Sequence, residues 1–112
     1  MNQYPDKTCE IENLVRHPKL IAAAIAGQKT QQRRDGVYAY PGEKFELDGV
    51  AFEVTTLTRS TLGDMTDADA QAEGYPNLAM YKALILSMHK GMEWNLDAKV
   101  WVHSFRRVDP AA

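Results

Sequence analysis

Apolar positions along this chain follow two periods, and the switches between them mark its elements. Leu20, Ile21, Ala24 and Ile25 recur three and four apart behind Pro18, a residue suited to the first helical turn. Gly27 stops that helix. Lys29 to Arg34 is short and polar, a strand or extended turn, and the glycines and proline of DGVYAYPGEK make a loop. The period then becomes two. Phe45 and Leu47 alternate with Lys44, Glu46 and Asp48, and Val50, Phe52 and Val54 alternate with Ala51, Glu53 and Thr55. Asp48-Gly49 between them predicts a hairpin over roughly residues 43–60. Thr66 and Asp69 have the spacing of a capping box for a short helix ended by Gly74. Asn77 caps a further helix with Met80, Tyr81, Leu84, Ile85 and Met88 on one face and Gly91 as its terminator. From Lys99 to Val108 the period is two again, with Trp101, His103 and Phe105 opposing Val100 and Val102.

The elements read as α+β, and 112 residues are enough for one core but not two. A single domain over residues 1–112 is expected, with its core at about 18–108. No apolar run approaches the ~20 residues of a membrane span, and the polar start lacks a signal-peptide core. Cys9 is the only cysteine, so no internal disulfide and no zinc ribbon are available, and a reducing cytoplasm is the expected compartment. His17, His89 and His103 are too scattered for metal-ligand spacing, so no metal and no cofactor are expected.

Charge changes the picture through its distribution. The net value is only −2, yet Arg16, Lys19, Lys29, Arg33 and Arg34 follow one another with no acid between them. From Glu43 to Glu73 there are eight acids against Lys44 and Arg59. A local basic strip on an acidic chain suits a confined anionic ligand better than a long duplex.

Several residues in and beyond that strip carry candidate chemistry. Lys29 follows a helix stop, where its ammonium can reach over a cleft. Gln32 and Arg34 are two apart and share a strand face; one offers an amide to a base edge and the other a planar fork to phosphate or carbonyl. Glu73 falls in the last turn of its helix, opposing the macrodipole at about 0.3–1 kcal/mol, which Lys29 or Arg34 nearby would offset. Trp94, Tyr38 and Tyr40 lie in loops from which they could stack a base, whereas Trp101 is expected in the core.

The run Gly27-Gln28-Lys29-Thr30-Gln31-Gln32-Arg33-Arg34 resembles the ASCH signature, glycine-x-lysine-x-x-glutamate-x-arginine. Gly27, Lys29 and Arg34 match it, and Gln32 holds the glutamate position. AGQKT is similar to the form found in a small bacterial ASCH group that includes an amidohydrolase acting on N-acetylcytidine. In that group a glutamate follows in a T-x-x-x-A-x-x-E context, matched here by Thr66, Ala70 and Glu73. The resemblance implies a small PUA-like β-barrel with flanking helices and a cleft between them. It also implies RNA or a modified nucleoside or nucleotide as partner; the signature stretch with the two loop aromatics gives Gly27, Gln32, Arg33, Arg34, Tyr40 and Trp94 as the expected ligand-binding set.

Two classes of function lead, ahead of a partner-binding or regulatory domain whose cleft is vestigial, a reading that Gln32 in the glutamate position keeps open. One is a binding module in which Lys29 and Arg34 meet phosphate or carbonyl oxygens, Gln32 a base edge, and Glu73 an amino or hydroxyl group. The other is a hydrolase of an acylated nucleoside amide or of single-stranded RNA, with Lys29 and Glu73 in proton transfer and charge stabilisation. The amidohydrolase's lysine, threonine and glutamate correspond to Lys29, Gln32 and Glu73, so the nucleophile's place is taken by an amide. Thr30 is the nearest hydroxyl, two residues away.

Overall fold

The computed structural model describes residues 4–88, 91 and 93–108. His89, one of the three histidines read above, lies outside them. Helix α1 (Pro18–Ile25) leads into strand β1 (Gln31–Arg34); β2 (Lys44–Leu47) and β3 (Val50–Thr61) form the hairpin; α2 (Asp67–Ala72) and α3 (Leu78–Met88) precede β4 (Lys99–Arg107). A 3-10 turn at Ile11–Asn13 precedes α1. The strands make one antiparallel sheet in the order β1-β4-β3-β2, curled into a half-barrel with the helices around it.

Local chemistry explains these boundaries. His17 Nδ1 accepts from the Lys19 amide at the start of α1, Pro18 occupies its first turn, and Gly27 leaves it at φ +82°. In the β2–β3 turn both Asp48 (φ 51°) and Gly49 (φ 81°) are left-handed, the conformation that matches a two-residue hairpin to the strand twist. Thr66 and Asp69 form the reciprocal capping box of α2, and Asn77 Oδ1 accepts from the Met80 amide at the head of α3.

One feature of β3 is absent from the hydrophobic pattern. Val54 opposes Phe105 and Thr56 opposes Ser104, so a bulge at Thr55 shifts the phase of the strand. Phe52 and Val54 before the bulge and Leu57 after it therefore reach the same interior. There Phe45, Phe52 and Phe105 pack mutually at 5.6–5.8 Å between ring centroids, with Leu14, Val15, Ala24 and Ala39 closing the core.

The opposite face of β4 is covered too: Val100 and Val102 pack with Leu62, Trp94 and Ala98. Trp101 departs from its expected place in the core. It is half-buried, with the Arg59 guanidinium 4.9 Å from its ring and Tyr4 against its edge. Helix α3 divides its apolar stripe between core and surface. Tyr81 is buried, while Met80, Leu84 and Met88 stay exposed.

Candidate functional site

A cavity of about 1200 Å³ opens where β1, the edge strand, faces α2 and α3. Gln32, Arg33, Arg34 and Glu73 line it, with Tyr75, Tyr81 and Trp94 as aromatic wall. Leu84, Ile85 and Met88 add an apolar side, which accounts for two of the exposed residues on α3. Arg16 and Lys19 stand at the other border, so four cations meet only two carboxylates, Asp35 and Glu73, around the cavity.

The polar centre is assembled from two distant segments. After α1 ends, the Thr30 amide donates to the Ala72 carbonyl at 2.7 Å and the Thr30 carbonyl accepts from Phe105 at 3.0 Å. The first bond docks the start of β1 on the end of α2, and the second ties it to β4. Lys29 is thereby turned inward, 1% exposed, and its ammonium donates to the carbonyls of Gln31 (2.6 Å) and Glu73 (2.8 Å). Glu73 caps the C-terminus of α2, where a cation complements the free carbonyls. Its carboxylate lies 3.5 Å from Lys29 Nζ and accepts from Arg33 Nη1 at 2.9 Å. Arg33 also donates to Gln31 Oε1 at 3.0 Å and approaches Asp69 at 3.5 Å.

Burial governs the proton affinities. Desolvation lowers Lys29 from 10.5 to about 8, against the opposing pull of Glu73. Desolvation raises Glu73, opposed by Lys29 and Arg33. The two partners are thus drawn toward each other in affinity, the condition for a proton to move between them. The phenols of Tyr75 and Tyr81 are pushed up, first by burial and then by the Glu73 charge, so they remain neutral donors.

Arg34 belongs to a different part of the structure from the one its spacing implied. Its Nε and Nη2 donate to the Leu14 carbonyl (3.2 and 2.7 Å), Nη2 also reaches Asn13 at 3.2 Å, and the guanidinium lies 5.2 Å from the Tyr38 ring. It clamps the segment before α1 to β1 while still bordering the cavity. The cation on Glu73 is Arg33. Gln32 and Arg34 do share a strand face, opposite His103 and Trp101, but α2 packs toward the alternate one.

His103 is a fastener between strands. The Tyr38 amide donates to its Nε2 at 3.0 Å, so the ring proton sits on Nδ1, which donates to the Gln32 carbonyl at 3.2 Å. Trp94 lines the cavity with Lys82 5.6 Å from its ring and Tyr81 at its edge, and it packs on the Leu62 cluster as well. Four of the candidate residues do not border the cavity. Lys29 lies behind Glu73, Gly27 and Thr30 are exposed beyond α1, and Tyr40 bonds the Pro5 carbonyl and stacks on Tyr4. Tyr75 and Tyr81, unremarked in the sequence as site residues, do border it. Tyr81 is one of five apolar positions on a single face of α3, and no local signal tells a core position from a cavity position there.

No protein-family model matches this chain, and no curated protein matches it. Solved structures do. An ASCH domain from Lactobacillus crispatus superposes with a TM-score of 0.64 at 14% identity, covering 79% of this chain and 69% of the other. The chain adopts an ASCH-type fold. A protein of Enterococcus faecalis assigned to the DUF984 family superposes with a TM-score of 0.60 at 19% identity, covering 81% and 68% respectively. At such identities the likeness is one of ASCH-type architecture. Among the described residues, no helix is long and apolar enough to cross a membrane and no cluster of His, Cys, Asp and Glu could hold a metal.

Proposed function

We propose that this chain is an ASCH-type module that binds RNA or a modified nucleoside or nucleotide in the cavity beside β1. The observation that carries the reading is the cavity's division of labour. Tyr75, Tyr81 and Trp94 offer aromatic surface for a base, Gln32 and Arg33 a polar wall, and Arg16, Lys19 and Arg34 positive charge for phosphate. The ASCH-type fold and the Gly27-x-Lys29 signature support the same reading. Arg33 is already compensated by Glu73 and Asp69, so phosphate recognition falls to the cations at the border.

The test is a salt titration of binding to a short single-stranded RNA. Affinity should fall with salt, and Arg16→Ala with Lys19→Ala should lower the slope by about 0.7 per cation removed from phosphate. Binding indifferent to salt and to both substitutions, or no binding at low salt, refutes the module.

A second reading, hydrolysis of an acylated nucleoside amide or of RNA, draws on the buried Lys29–Glu73 pair. Its opposed shifts in proton affinity suit a general acid and base acting through water. Wild type and Lys29→Met, assayed on N-acylated cytidine and on single-stranded RNA, separate the classes. Turnover abolished by the substitution makes the pair catalytic, and binding without turnover leaves the module.

A further inference from the structure

On the face of the sheet turned from α2, two arginines lie over aromatic rings. The Arg34 guanidinium is 5.2 Å from the Tyr38 ring centroid, and that of Arg59 is 4.9 Å from the Trp101 ring. Strand pairing joins the two. Trp101 of β4 is opposite Arg34 of β1 on one side and opposite Arg59 of β3 on the other. Directly opposed side chains share a face, so Arg34, Trp101 and Arg59 form one row across three strands, about 10 Å long.

The row is available to a ligand. Arg59 is exposed, and among the described residues no carboxylate forms an ion pair with either arginine. Arg34 gives Nε and Nη2 to backbone carbonyls and keeps Nη1. Lys7, which lies over Tyr40, differs: Glu43 neutralises it. A guanidinium held over a ring offers its outer plane to a base and its N–H edge to phosphate. The row also continues the cavity. Arg34 belongs to both, because the cavity reaches round the edge strand, with Arg33 on one face of β1 and Gln32 and Arg34 on the other.

We infer that the row Arg34–Trp101–Arg59 is a second nucleic-acid surface, across which a single strand of RNA continues when one of its nucleotides occupies the cavity. This deepens the nucleotide-binding reading and rests on it. The ligand is then a strand rather than a free nucleotide. It is single-stranded because paired bases keep their faces within the stack and would show this surface only phosphate. Arg59 stacks a base and meets a phosphate, while Trp101 positions it from beneath.

The experiment compares a short single-stranded RNA with its nucleoside monophosphates on the full chain. Both are titrated, at several salt concentrations, into wild type, Arg59→Ala and Arg59→Lys. Wild type should bind the RNA more tightly than any monophosphate. Arg59→Ala should weaken RNA binding by roughly five- to a hundredfold and lower its salt slope by about 0.7, with monophosphate affinity unchanged. Arg59→Lys should restore the slope but not the affinity, since an ammonium keeps the charge without the plane. In Trp94→Phe, saturating RNA should change the Trp101 emission. Arg59 is exposed, so its variants should keep the wild-type thermal midpoint. RNA held no more tightly than a monophosphate, or an RNA affinity unmoved by Arg59→Ala, overturns the inference and leaves the cavity standing. Binding of neither ligand overturns the nucleotide reading itself, and this inference falls with it.

Discussion

Arg33 Nη1 donates to Glu73 Oε2 at 2.9 Å across 40 residues of chain, with the two side chains 5% and 1% exposed. That bond ties the edge strand to the end of α2 and sets the polar wall of the cavity. Lys29 approaches the other oxygen of the same carboxylate, so one anion serves two buried cations.

This arrangement is asymmetric, and the asymmetry predicts a ranking. Glu73→Ala leaves Lys29 and Arg33 buried with no carboxylate between them, a change expected to cost about 3–5 kcal/mol. Arg33→Met leaves Glu73 its contact with Lys29, so its cost should be smaller. Urea midpoints of the two variants test the order. Equal losses, or a greater loss from Arg33→Met, contradict the shared-anion account.

Lys29 makes stability depend on alkaline pH in an unusual direction. The folded chain releases this proton near 8, whereas the unfolded chain holds it to 10.5. Between those values the unfolded state binds more protons, so stability rises with pH, by up to about 1.4 kcal/mol per unit. Tyrosine ionisation in the unfolded chain opposes this above about 10, which leaves 8 to 10 as the clean window. Unfolding free energies of wild type minus Lys29→Met should climb across it. A flat difference means that Lys29 keeps an ordinary affinity.

His103 predicts the acid side. Desolvation by burial lowers its affinity below the ordinary 6.5, and a proton on Nε2 would in addition displace the Tyr38 amide. The stabilisation is present above 6.5 and is lost as pH falls below it toward the folded value, since the unfolded chain protonates first. Urea midpoints at pH 7.5 and 5.5 should fall further in wild type than in His103→Gln. Identical slopes in the two proteins remove His103 from the acid response.

How far these features could be read beforehand depends on how local their causes are. The Asp48-Gly49 turn, the Thr66–Asp69 box and the Gly27 stop are set by neighbours within a few residues, and the structure has each where the pattern placed it. The ASCH-type architecture was legible in the same way, through a signature at a helix end followed by a hairpin. Arg33 was harder. Strand alternation correctly groups Gln32 with Arg34, but it does not say which face α2 will cover. That depends on the Thr30–Ala72 bond, between segments far apart in sequence. The bulge at Thr55 and the division of α3 between core and cavity are likewise tertiary outcomes, invisible to a count of apolar positions.

Trp94 provides an optical test of where a ligand sits. The chain has two tryptophans, and only Trp94 borders the cavity; Trp101 lies beneath Arg59 beside Tyr4. A base stacked on the half-buried Trp94 ring would quench its emission, and loss of such a stack costs about 1–3 kcal/mol of binding. Titration of nucleoside monophosphates should therefore quench wild type and Trp101→Phe alike and leave Trp94→Phe unresponsive. Because Trp94 also packs on Leu62 and Val100, Phe is the right replacement: it preserves most of that apolar contact. A response carried by Trp101 instead would move the binding site to the other face of β4, away from Glu73 and Arg33.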